Sequence, residues 1–138
     1  HLGADWPNRE DVSTRFHVML DGIREKGEEV SILDFGCGSA RLYDYILDKK
    51  DIYSLIEYSG SDLSEKFVDF SRSKYPNNKF YCFDILTTDI SKLPIFDYVV
   101  MNGVFTEKRE LTFDEMWDFF KRMITAVFQL TKKGIAFN

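Results

Sequence analysis

A run of apolar residues, Val30-Ser31-Ile32-Leu33-Asp34-Phe35, closes on the turn Gly36-Cys37-Gly38-Ser39 and passes directly into a stretch with Leu42, Tyr45 and Ile46 on one helical face. Bounded by Glu28-Glu29 and by glycine, the run reads as a parallel strand buried on both faces. A strand that turns this tightly into a helix restricts the chain to folds in which helices cross over a sheet. The alternation then repeats. Ile56 to Ser61 is expected as a second strand and Lys79 to Phe83 as a third, with Asp84 at its carboxyl end. Phe96 to Met101 reads as a fourth, followed by Asn102-Gly103, and Gly134 to Phe137 as the start of a fifth.

Helical periodicity fills the intervals. Asp11 to Lys26 places Val12, Phe16, Met19, Leu20 and Ile23 on one face and stops at Gly27, a residue suited to ending a helix. Ser64 can cap a helix carrying Phe67, Val68 and Phe70 inward, ended by Pro76-Asn77-Asn78. Thr112-Phe113-Asp114-Glu115 has the capping-box pattern, and Phe113, Met116, Trp117, Phe120, Ile124, Val127 and Phe128 are the expected inward stripe of the helix it starts. The predicted fold is α/β: a doubly wound, mostly parallel sheet with helices on both faces and right-handed crossovers. Such sheets bind ligands beyond the carboxyl ends of their strands.

Composition narrows the classes of function. The 138 residues, 44% of them hydrophobic, suit one domain with a single core. A net charge of −5 and the lack of any Lys/Arg run argue against a nucleic acid partner. With no apolar stretch of about 18 residues and no secretory leader pattern, the chain reads as soluble and cytoplasmic, without a membrane partner. Cys37 and Cys82 fall on the predicted first and third strands, too far apart for a disulfide if the second strand lies between them, so both thiols are expected to be free.

Chemistry concentrates at the strand ends. Glycines at 36 and 38 let the backbone pass close to a ligand, and the following helix N-terminus offers unpaired N–H groups. A dinucleotide fingerprint would need a third glycine where Arg41 stands, which weighs against a nicotinamide-dependent oxidoreductase. Asp34, two residues ahead of the first glycine, would repel a pyrophosphate but can receive an ammonium, such as the α-amino group of a methionine moiety.

The segment Ile32-Leu33-Asp34-Phe35-Gly36-Cys37-Gly38-Ser39-Ala40 resembles motif I of the class I, Rossmann-like S-adenosylmethionine-dependent methyltransferases. Tyr58-Ser59-Gly60-Ser61-Asp62-Leu63-Ser64 is similar to the family's second motif, and Phe83-Asp84-Ile85-Leu86 to its adenine segment, in family order and spacing. The resemblance implies S-adenosylmethionine as cofactor, released as S-adenosylhomocysteine. Its expected site comprises Asp34, Gly36, Cys37, Gly38, Ser39, Asp62, Leu63, Asp84, Ile85, Asn102 and Gly103. Asp62 would accept from the two ribose hydroxyls. Asp84 would accept from the adenine amine while the Ile85 N–H donates to a ring nitrogen, with Leu63 and Ile85 sandwiching the base.

The strand-four exit Met101-Asn102-Gly103-Val104-Phe105 lacks the Pro-Pro-Tyr/Phe signature of base and glutamine amino-methylating enzymes and the Pro-Cys of cytosine C5 enzymes. Together with Lys133-Gly134-Ile135-Ala136-Phe137-Asn138, it resembles a group of small bacterial methyltransferases whose acceptor is unassigned, and a small-molecule acceptor is favoured. Methyl transfer is expected as an in-line displacement driven by positioning, with no catalytic base named and no metal site indicated. Cys37 is expected to fill the turn and His17 to lie at the core edge, whereas Trp6 and Arg15 are weaker candidates for lining the site.

The family sheet ordinarily adds an antiparallel strand pair beyond strand five. Residues 1–138 therefore read as a single domain truncated after that strand, with 1–29 as a helical cap, and this fragment alone is not assured of activity. The Ile135-Ala136-Phe137 edge then needs a partner or self-association. The alternative function is a non-catalytic S-adenosylmethionine-binding module that works with a partner protein.

Overall fold

The computed structural model describes residues 9–23, 27–106 and 110–138, the side chain of Arg9 excepted. Strands β1 (Val30–Phe35), β2 (Ile56–Asp62), β3 (Lys79–Cys82), β4 (Phe96–Met101) and β5 (Thr131–Phe137) form one sheet in the order β3-β2-β1-β4-β5. Every neighbouring pair is parallel. Helix α1 (Arg9–Ile23) precedes the sheet, and between the strands lie α2 (Arg41–Asp48), α3 (Lys50–Tyr53), α4 (Glu65–Lys74) and α5 (Phe113–Phe128). None of the described helices is long and apolar enough to cross a membrane.

The chain winds outward from β1 through β2 to β3, then returns to the other side of β1 for β4 and β5. The order therefore reverses between β1 and β4, and their carboxyl ends part to leave a crevice there. Side chains alternate across the sheet and build two cores. Val30 and Ile32 pack with α1, α2 and α3, including Leu20, Leu42 and Tyr53, whereas Leu33 and Phe35 pack with Val99, Met123 and Val127 on the α5 side.

Strand limits follow the ladders. Asp62 belongs to β2 because it pairs with Cys82, and β3 stops at Cys82, not Phe83, because β2 offers it no further partner. The fifth strand starts at Thr131, earlier than the predicted Gly134, since Thr131 already pairs with Phe96. Near that point β4 shifts register between Phe96 and Tyr98. Asp97 there accepts from the Ser31 amide (2.9 Å) and the Ser31 hydroxyl (3.2 Å), and its own N–H donates to that hydroxyl (2.9 Å), so β1 and β4 are clamped below their first ladder pair.

Two inward stripes need correction. On α4, Val68 and Ser71, three residues apart on one helical face, are buried, but Phe70, two residues from Val68, is turned to the opposite face and is exposed. On α5 the expected stripe includes Phe113, Trp117 and Phe128, which are 73%, 51% and 59% exposed. The face laid on the sheet carries the expected Val127, with Ile124 packed beside it, together with Met123 and Ala126, which the expected stripe omits. Both stripes of this helix are apolar at helical spacing, so periodicity could not choose between them. The outer one is not idle: Trp117 stacks on Phe120 at 5.5 Å, and Phe120 contacts Phe105 and Phe137 at 4.9 and 5.6 Å, joining α5 to the β4 exit and the end of β5.

Candidate functional site

The turn after β1 is built from backbone that side chains resist. Gly36 and Gly38 have φ of 77° and 52°, and a Cβ on Gly36 would sit 3.1 Å from Val104. Ala40 also lies in the left-handed region, at φ 61°, a conformation that costs an L-residue about 1–2 kcal/mol. The turn is held against β2: the Gly36 and Cys37 amides both donate to the Ser61 carbonyl, at 2.8 and 2.9 Å. Close approach here depends on Gly60, where an added Cβ would meet the Phe80 ring at 2.8 Å and Cys37 Sγ at 2.9 Å.

Asp62, at the end of β2, completes the brace. Its Oδ2 accepts from Gly38 N and its Oδ1 from Ser64 N, each at 2.9 Å. Asp84, just past β3, uses Oδ1 to accept from Leu86 N at 2.9 Å while its carbonyl accepts from Thr88 N, which closes the following turn and buries Ile85. At the β4 exit the Asn138 side chain bridges two positions, donating to Asn102 Oδ1 at 2.8 Å and accepting from Gly103 N at 2.9 Å.

Asp34 is the most unusual group. It is 3% exposed and its Oδ2 accepts from the Tyr58 hydroxyl at 2.7 Å. Burial pushes its pKa up to about 7, with the nearby Asp62 charge adding to the rise and the Tyr58 hydrogen bond opposing it. Tyr58 stacks on Tyr43, which meets Tyr75 edge-on, and the Tyr75 hydroxyl donates to Asp44 on α2. A chain of rings thus ties the buried carboxyl to the outer surface of α2 and α4.

All eleven predicted site residues line one cavity of about 860 Å³ at the carboxyl rim. Asp34, Asp62 and Asp84 are on its wall together, and Arg41 is the one Lys, Arg or His among the described residues that line it. Cys37 sits in the turn rather than on β1, is buried, and has its thiol pKa driven upward by burial, which makes it unreactive packing. Cys82 is also free, with β2 between the two. His17 lies away from the cavity, Nδ1 being 3.3 Å from the Tyr53 hydroxyl, and Arg15 does not reach its wall. Trp6, like residues 1–8 as a whole, lies outside the described residues. No group of three or more His, Cys, Asp or Glu among the described residues could hold a metal ion.

Several lining residues were not anticipated. Val12 and Phe16 of α1 and Met116 of α5 are expected only as core, and Phe119 and Met123 of α5 lie outside the expected stripe, yet all five line the cavity from its two sides. Ser61 is different: a polar residue at the end of a buried strand is itself a signal in the sequence.

Comparisons with known proteins agree with this fold. A methyltransferase from Clostridium acetobutylicum described as S-adenosylmethionine-dependent superposes with a TM-score of 0.62 at 18% identity, covering 94% of this chain and 50% of that one. The plantazolicin methyltransferase BpumL, in complex with a pentazolic desmethylPZN analog and SAH, gives 0.57 at 24% identity, covering 88% and 46%. The [4+2]-cyclase SpnF gives 0.60 at 18%, covering 94% and 43%. These likenesses are of fold, and the chain spans about half the length of each of these structures. No curated protein matches the sequence. Residues 33–127, from within β1 to the penultimate residue of α5, match the family described as methyltransferase domain. That span contains both the glycine turn and all three strand-end carboxylates, and the chain belongs to the methyltransferase domain family.

Proposed function

We propose that this domain binds S-adenosylmethionine at the carboxyl rim of its sheet and supports methyl transfer to a small-molecule acceptor. The observation that carries the reading is the convergence of Asp34, Asp62 and Asp84, from the ends of three strands, on one cavity. When bound, the cofactor supplies an electrophilic sulfonium methyl: an acceptor lone pair forms the bond to its carbon as the carbon–sulfur bond breaks, leaving the electron pair on sulfur.

The residues present fit such a ligand. Each Asp62 oxygen already holds one backbone N–H, yet a carboxylate has about four acceptor positions, so both oxygens keep a lone pair for a ribose hydroxyl. Asp84 takes the adenine amine, the Ile85 N–H a ring nitrogen, and Leu63 lies against the base. Asp34 receives the ammonium of the amino-acid end and Arg41 its carboxylate, which gives a zwitterion one partner for each charge. Gly36, Cys37, Gly38 and Ser39 let the chain pass close beneath, and Asn102 and Gly103 border the methyl position. Orientation in such a site is worth about 7–11 kcal/mol, so a general base is not required. A cavity near 860 Å³ lies in the range of small-molecule sites, which favours a small acceptor.

Calorimetry tests the reading. S-adenosylmethionine and S-adenosylhomocysteine should bind and NAD should not, and Asp62→Ala should weaken both at least tenfold. Failure of the unmodified protein to bind either would end it. A second reading, a binding module that works with a partner along β5, draws on the position of that strand at the sheet edge with Phe137 49% exposed. Size-exclusion at several concentrations separates the two: a strictly monomeric domain that turns over methyl groups leaves the partner reading without support.

A further inference from the structure

Ser61 is the one buried side chain among the described residues with a polar atom that has no hydrogen-bond partner. It is 2% exposed and lines the cavity. In the sheet it sits between Phe35 on β1 and Tyr81 on β3, both of which pack into the core on the α5 side. Side chains in register on parallel strands share a face, so the Ser61 hydroxyl lies on the α5 face of the rim, itself withdrawn from water. Asp34, one residue before Phe35, points to the opposite face, where Tyr58 meets it. The cavity therefore straddles the rim: a carboxylate on the α2 side, and on the other a lone hydroxyl among Phe35, Phe83, Ile85 and Met123.

A hydroxyl withdrawn from water and left unpaired costs stability, and a small apolar side chain would serve packing better. The site accordingly suits a flat, largely apolar ligand that carries one hydrogen-bonding atom into this slot. We propose that Ser61 is a base-recognition residue, its hydroxyl bonding a nitrogen of the adenine ring system. The inference rests on reading the cavity as an S-adenosylmethionine site and assigns its halves: base on the α5 side with Ser61, amino acid on the α2 side with Asp34. A hydroxyl both donates and accepts, so either a ring nitrogen or an amine satisfies it.

The opposing effects expected of one substitution make the test sharp. Ser61→Ala should weaken S-adenosylhomocysteine about 3- to 10-fold, and weaken adenosine, measured by displacement, by the same factor. The ligand-free melting temperature should hold or rise, because an unpaired group has been removed. Ser61→Cys, slightly larger and a poor hydrogen-bonder, should lose the same affinity for both ligands. Unchanged affinity overturns the assignment, as does a loss confined to S-adenosylhomocysteine, which would put the contact at the amino-acid end. A fall in ligand-free melting temperature also overturns it, since the hydroxyl would then have a structural partner. If the unmodified protein binds S-adenosylhomocysteine, only the Ser61 role is at stake; if it does not, the cofactor reading itself has failed.

Discussion

The Tyr58 hydroxyl donates to Asp34 Oδ2 across 2.7 Å, in a wall where the carboxyl is almost wholly withdrawn from water. Burial disfavours the ionised form and lifts the pKa from 3.8 to about 7, even though the tyrosine stabilises the anion. The folded state therefore holds a proton that the unfolded state releases. Stability from this group is fully present below about pH 4 and is lost as pH rises toward 7, a change on the order of 4 kcal/mol. Asp34→Asn should remove that part of the decline, which urea unfolding at pH 5 and pH 8 in both proteins would reveal.

On the proposed cofactor reading, the same carboxyl should make ligand binding proton-linked. An ammonium beside Asp34 favours its anion, so S-adenosylhomocysteine affinity should rise with pH through about 7 and flatten above it. Asp34→Asn should bind weakly with no such rise. Tyr58→Phe, which loses the one hydrogen bond that lowers the pKa, should move the midpoint upward. Calorimetry across pH 6–9 would check all three, and a profile shared by all three proteins would contradict the assignment.

Arg41 should act on one end of the ligand alone. Arg41→Ala is expected to weaken S-adenosylhomocysteine by about 10-fold, the size of a charge-assisted bond at a wet wall, while adenosine binds as before. Equal losses for both would show that the substitution disturbs the turn instead.

Of the glycines at the turn and the strand beneath it, Gly60 leaves the least room for a side chain. Gly60→Ala would drive a methyl into the Phe80 ring and Cys37 Sγ, both under 3 Å from it. Overpacking of this kind costs about 1–3 kcal/mol, and because Cys37 lies in the turn proposed to hold the ligand, affinity should fall together with the melting temperature.

Asp97 provides the contrasting case, far from the cavity. The Ser31 amide, its largest influence, holds the carboxyl below the usual carboxylate range, with Lys133 and Lys132 adding to the effect. Its stabilisation is present at neutral pH and is lost as pH falls through the lowered pKa. Asp97→Ala should destabilise by about 1–3 kcal/mol without changing ligand affinity, as chemical unfolding and calorimetry together would show.

What could be read from the residues in order was whatever local interactions decide. The apolar runs Val30–Phe35 and Phe96–Met101 match β1 and β4 residue for residue, and the glycine turn and the Thr112 capping box form from neighbours within a few positions. The carboxylates at 34, 62 and 84 could be placed at strand ends because a parallel sheet puts all such ends on one rim. Tertiary structure alone decided what depends on register between distant strands. Phe35 beside Ser61 leaves a hydroxyl unpaired, Gly60 beside Phe80 admits the turn, and Tyr58 near Asp34 tunes a proton. It also chose which apolar stripe of α5 would be buried, since both have the helical period and only the sheet's shape distinguishes them.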